Sequence, residues 1–188
     1  MTIKLRLLPA LFVGLLALGP ISGSAAELVV DAAKSTISLK AASPDVTVTG
    51  QFQSFNAQIS FDPASATGKV AIRVPISSLR LDTPENTARA KQEPWFNMAA
   101  FLEATYSATS FEALGEGQYL ASGTLTLRGA SVPLALPFTL MITGDAAKMT
   151  ATVGITRQNF ELGTGSPLEH NSVAPVVEVT IALTATQQ

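Results

Sequence analysis

The chain has no cysteine and a single histidine, His170. The first absence removes thiolate nucleophiles, iron–sulfur clusters, disulfides and cysteine zinc sites. The second leaves any Ser-His-Asp arrangement dependent on one imidazole. His170 sits in Leu168-Glu169-His170-Asn171. That setting reads as a solvated polar loop, with a ligand or proton-handling role as the alternative. Charge is scarce too: 14% of residues are Asp, Glu, Lys or Arg, and the net charge is -2. A nucleic-acid binder needs a basic excess, so that class is excluded. No glycine-rich phosphate loop is present, because Gly115-Glu116-Gly117 lacks the third glycine and the lysine that follows it. No G-x-S-x-G elbow occurs in residues 27–188. Carboxylates are scattered singly, which argues against acid–base chemistry. Asp82 and Glu85 suit a helix start instead.

What is present is apolar. Hydrophobic residues make up 47% of the chain, the opposite of a disordered composition. Part of that lies at the N-terminus. Lys4 and Arg6 precede the apolar run Leu7 to Leu18, and Ser24-Ala25-Ala26 supplies small residues for cleavage. Residues 1–26 therefore read as a secretory signal peptide cut before Glu27. The run is too short to span a bilayer comfortably, and no second long apolar run follows. The expectation is an exported, periplasmic protein that does not span the membrane. Residues 27–188 then form one domain. It forgoes the disulfides its compartment permits and is held by burial alone.

That domain alternates almost throughout. Ile37 and Leu39 share a face, as do Val48, Gly50 and Phe52, then Ala57, Ile59 and Phe61, then Val70, Ile72, Val74 and Ile76. The pattern resumes with Tyr119, Ala121, Gly123, Leu125 and Leu127. Val132 to Ile142, Met149 to Ile155 and Val177 to Leu183 continue it. Period two over such lengths predicts strands with one buried face. Turn chemistry separates the runs at Asp62 to Gly68, Gly115 to Gly117, Gly129 to Ser131 and Gly144-Asp145. The exception is Asp82 to Phe101, where Pro84 just inside an acidic start predicts a short helix, with a turn at Pro94.

Eight or nine antiparallel strands, several of them long, suit a closed barrel better than a sandwich. Alternation leaves the sense of the barrel open. Apolar-in gives a carrier or a filled core; apolar-out gives an outer-membrane barrel. Apolar-in is favoured because Trp95 lies in the helical insertion and the two tyrosines form no girdle. The chain also closes on Thr-Ala-Thr-Gln-Gln, with no aromatic anchor.

Several segments recur in a known order: Gly50-x-Phe52, Phe61-Asp62-Pro63, Ser78-Leu79, Trp95-Phe96-Asn97 and Phe101-x-x-Ala104-Thr105-Tyr106. The block Gly123-Thr-Leu-Thr-Leu-Arg128-Gly129 runs on to Pro133 and Pro137-Phe138, and Arg157-x-x-Phe160 and Gly163-x-Gly165 follow. This resembles the YceI-like family of exported polyisoprenoid-binding proteins over the whole of residues 27–188. Two positions depart from the family pattern: Leu102 stands in place of a proline, and Leu168 near the place of a tryptophan. The resemblance implies an eight-stranded, lipocalin-like antiparallel barrel with one short helical insertion around residues 84–100. It also implies an isoprenoid quinone or polyprenyl phosphate in the interior, no other cofactor, and a possible link to a membrane b-type cytochrome.

The expected function is non-enzymatic carriage of such a lipid. The expected lining is Phe52, Val70, Ile72, Leu125, Leu127 and Leu136, with Phe138, Val179 and Ile181. Trp95 and Phe96 are expected to close one end. The small residues Ala121 and Gly123 are expected to border the ligand cavity, so that Ala121→Phe costs little stability in the lipid-free protein and strongly weakens lipid uptake. Arg128 and Arg157 each end an alternating run, as surface charges or headgroup contacts. The rival reading is a filled barrel that docks onto a membrane partner. An enzyme using Arg128, Arg157 or His170 is the third.

Overall fold

The structure is a computed structural model that describes residues 25–43, 47–165, 167 and 173–188. His170 and Leu168 lie outside the described residues, as does most of the expected signal peptide.

The expected strands form. They are β1 (Ala26–Val30), β2 (Thr36–Ala42), β3 (Thr47–Phe52), β4 (Asn56–Asp62), β5 (Thr67–Pro75) and β6 (Leu79–Leu81). After the helix α1 (Pro84–Lys91) come β7 (Glu103–Gly115), β8 (Gln118–Leu127), β9 (Ala130–Thr143), β10 (Ala146–Thr156) and β11 (Val176–Gln187). All pair antiparallel, and β1 closes the sheet by pairing with both β4 and β11. The ring β1-β4-β5-β7-β8-β9-β10-β11 is an eight-stranded barrel. At one end β2, β3 and β6 continue the sheet outward from β11. There the 3₁₀ turn Ala32–Lys34 offsets β2 from β1, so both pair along the single strand β11.

The turns sort to two ends. The β4–β5, β7–β8 and β9–β10 hairpins lie at one end, with the start of β1 and the finish of β11. The β8–β9 turn, α1 and the segment after β10 lie at the other, which forms the mouth. The β8–β9 turn is Arg128-Gly129, one residue earlier than the sequence suggests, since Leu127 pairs with Ala130. Both turn residues have positive φ, 50° and 78°, as a two-residue hairpin of matching twist requires.

Helix α1 begins where Pro84 predicts, but its cap is Thr83, whose hydroxyl accepts from the Asn86 amide at 3.1 Å. It stops at Lys91, and residues 92–101 are turns rather than helix. The Leu81 amide donates to Thr87 Oγ1 at 2.9 Å, which fixes α1 beside β6. Among the described residues no helix is long and apolar enough to cross a membrane.

The apolar faces point inward. Phe61, Ile72, Tyr106, Leu136 and Leu183 are buried, while outward positions of the barrel strands, such as Lys69, Arg73, Thr124 and Thr152, are exposed. At the closed end Phe61 packs against Phe111, Tyr119 and Phe138 with ring centroids 5.1, 5.1 and 5.9 Å away. Tyr119 donates to the Pro63 carbonyl at 3.2 Å, which satisfies its hydroxyl.

Candidate ligand cavity

Three spaces follow one another from the mouth inward. The outermost is a groove of about 410 Å³ between β2, β3, α1 and the chain after β10, walled by Val48, Leu81, Ala90 and Trp95. Its volume falls within the ~300–1,000 Å³ of small-molecule sites. Its polar side chains among the described residues are Ser43, Asn86, Arg89 and Arg157. Next comes an upper chamber of about 150 Å³ inside the barrel, lined almost wholly by aliphatic and aromatic side chains. Leu39, Phe96, Arg157, Leu162 and Val177 line both groove and upper chamber and so form a neck. A lower chamber of about 60 Å³ lies toward the closed end. Ile72, Tyr106 and Leu136 line both chambers and form a waist between them.

The residues singled out in the sequence fall into these spaces by depth. Trp95 lies in the groove, and Phe96 lies at the neck. Phe52, Leu125, Leu127, Val179 and Ile181 line the upper chamber. Ile72 and Leu136 belong to the waist, and Val70, Ala121 and Phe138 to the lower chamber. Alternation groups them by face but says nothing of depth, so their division into compartments is a tertiary fact.

The two arginines part company. Arg157 opens the 3₁₀ turn Arg157–Phe160 after β10 and is 1% exposed, so the surface-charge reading fails for it. Its guanidinium donates to the carbonyls of Leu162, Gly163, Val173 and Ala174 at 2.6, 3.2, 2.7 and 3.0 Å. It lies 5.5 Å from the Trp95 ring centre, a cation–π contact. Burial pushes its pKa down from the usual arginine value. Gly163 makes this packing possible. Its φ is +66°, and a Cβ there would lie 2.6 Å from Trp95 Cη2 and 2.9 Å from Arg157 Nη1. In the motif Gly163-x-Gly165, Gly163 thus makes room for Trp95 and Arg157, and Gly165 for Pro94.

Arg128 is at the rim but lines none of the three spaces. Its Nη1 donates to the Glu161 carbonyl at 2.7 Å, and its Nη2 lies 3.2 Å from Glu93 Oε1. It ties the β8–β9 turn to the chain on either side of the mouth. Leu102, one of the two departures from the family pattern, is exposed just before β7.

Sequence reasoning missed Tyr106, the largest side chain of the waist. The signal was available, since Ala104, Tyr106 and Ala108 alternate with polar residues. It also missed Asn86 and Arg89, because an exposed helical face gives no sign that it borders a groove.

Residues 28–185 match the YceI-like domain. The chain belongs to that family. A UPF0312 protein of Shewanella putrefaciens is 33% identical over 138 residues, covering 71% of each chain. A second, from Shewanella sp. strain MR-7, is 34% identical over 137 residues with the same coverage. Among solved structures, Burkholderia cenocepacia BcnA superposes with a TM-score of 0.80 at 28% identity, covering 84% of this chain and 99% of that one. The YceI protein of Campylobacter jejuni gives 0.67 at 20% identity, covering 74% and 84%. A polyisoprenoid binding domain from Saccharophagus degradans, implicated in plant cell wall breakdown, gives 0.67 at 16%, covering 88% and 100%. The YceI-like barrel thus recurs across sequences that share few residues.

Proposed function

We propose that the mature chain, residues 27–188, binds an isoprenoid lipid in the periplasm and carries it without chemical change. The tail enters the barrel and the headgroup stays in the mouth groove. The observation that carries this reading is the line of apolar spaces from groove to neck to upper chamber. Burial of hydrocarbon is non-directional and scales with area, about 25 cal/mol per Å². An aliphatic lining therefore selects an apolar chain, while Asn86, Arg89 and Arg157 give the mouth its polarity. The Saccharophagus degradans domain, of the same fold, offers a parallel for the ligand class. Isoprenoid quinones and polyprenyl phosphates both fit an apolar tail with a polar head.

The test is extraction of gently isolated mature protein with organic solvent, followed by mass spectrometry of lipid and protein. A co-purifying prenyl lipid and a mature N-terminus at Glu27 are expected. Protein that is lipid-free and takes up neither an isoprenoid quinone nor a polyprenyl phosphate overturns the reading in favour of a filled barrel.

A further inference from the structure

We infer that the waist of Ile72, Tyr106 and Leu136 sets the length of tail the barrel accepts, so that a bound chain ends there. The inference rests on the cavity reading above and adds a specificity-determining element to it.

The neck and the waist differ in construction. Phe96 and Leu162 of the neck belong to connections, after α1 and after β10, whose backbone is not tied into the barrel ladder. Connections are the segments that move most readily. The waist is built only from barrel strands. Ile72 on β5 faces Tyr106 on β7 in register, and Leu136 projects from β9. All three are buried.

Tyr106 is held along its whole length. Its ring lies over Gly123, where a Cβ would come within 2.6 Å of Cζ and Oη. Its hydroxyl reaches the carbonyls of Ala121 at 3.1 Å and Leu134 at 3.3 Å. Swinging it aside would leave a phenol unsatisfied in an apolar lumen, a costly state. A tail that passes the neck therefore meets a fixed obstruction. Beyond it lies only the small lower chamber, backed by the aromatic cluster of Phe61, Phe111, Tyr119 and Phe138. A dry apolar void of that kind is stable without a ligand. On β10 Val153 lines the upper chamber and Met149 the lower, so the waist falls level with Ala151. The six residue steps from there to Arg157 give the accepted tail roughly 15 Å of barrel axis at the usual rise and tilt.

The experiment measures binding of two graded series, linear n-alkanols and prenols from geraniol to solanesol, by fluorescence of the single Trp95, which walls the groove. In the n-alkanol series, affinity is expected to climb about fourfold per buried methylene and then level off at one chain length. Leu136→Ala, or the milder Ile72→Val where the first fails to fold, joins the chambers and moves that plateau to longer chains. Ala147→Val touches the lower chamber away from the waist, since Ala147 lines that chamber and packs with Leu28, Phe61, Tyr119 and Leu140. It leaves the wild-type plateau in place and pulls back the plateau of the Leu136→Ala protein. A wild-type series that climbs without a break overturns the inference. So does a plateau that Ala147→Val shortens in the wild-type protein, or one that neither waist variant moves. Alkanols that level off while prenols fail to bind would leave the waist standing and sink the isoprenoid reading. Absence of binding in both series overturns both.

Discussion

Tyr106 and Gly123 occupy one space: the tyrosine ring lies where the glycine's side chain would be, with Cζ and Oη 2.6 Å from an ideal Cβ. The Ser107 carbonyl crowds the same point at 2.5 Å, and β7 slips register beside it, between Ala108 and Ser110. Gly123→Ala should therefore overpack the barrel wall at a cost of about 1–3 kcal/mol. A fall in the urea midpoint with unchanged m-value checks this. Because backbone as well as ring is in the way, a second substitution, Tyr106→Leu, should restore only part of the loss.

Tyr106 also makes stability depend on alkaline pH. Burial pushes its phenol up to about 12 from an ordinary 10.0. Between those values the unfolded chain gives up the proton while the folded chain keeps it. The stabilisation is thus complete below about pH 10 and declines as pH rises toward about 12. Two units correspond to about 2–3 kcal/mol. Denaturant midpoints measured from pH 9 upward should fall, and Tyr106→Phe should flatten that part of the profile.

Arg157 should be the costliest single arginine to replace. Four carbonyls converge on its guanidinium inside the mouth. Arg157→Met fills the space but leaves those acceptors unpaired, at about 1–3 kcal/mol for each that water cannot reach. A loss of at least about 3 kcal/mol is expected. Arg157→Lys should recover little, because three donors on one nitrogen cannot reproduce a planar fork. Arg128→Met, with its partners at the exposed rim, should lose less in the same unfolding assay.

Ala121→Phe reverses an expectation drawn from sequence. Small residues on an inward strand face suggest spare room. Ala121 is 3% exposed, and the chamber beside it holds about 60 Å³ between Phe111 and Phe138. A phenyl ring overfills it, so the midpoint should drop by about 1–3 kcal/mol. Tail binding in the upper chamber should persist wherever the variant stays folded. An unchanged midpoint would mean that the lower chamber is larger than the geometry gives.

Much of the barrel was legible in residues alone. Val177, Val179, Ile181 and Leu183 alternate with Glu178, Thr180, Ala182 and Thr184, and they face the lumen. Pro84 marked the start of α1, and glycines marked the β7–β8 and β9–β10 turns at the closed end. Each of these is a local preference, carried by backbone sterics within a few residues. The helix end was less legible. Arg89 and Lys91 suit a last turn, but the amides of Trp95 and Phe96 turn back onto the carbonyls of Gln92 and Ala90 and end the helical course there.

The tertiary structure decided the rest. Alternation states which residues share a face, whereas closure depends on Leu28 pairing with Gln187, residues at opposite ends of the chain. Arg157 follows an alternating strand and reads as a rim charge. It is buried because Leu162, Gly163, Val173 and Ala174 bring their carbonyls to it from a loop whose path no short-range preference fixes. The division of the lumen at Ile72, Tyr106 and Leu136 has the same origin. Periodicity places each of the three inside, but the space left between them is a difference of volumes summed over β5, β7 and β9, and only the closed barrel sets it.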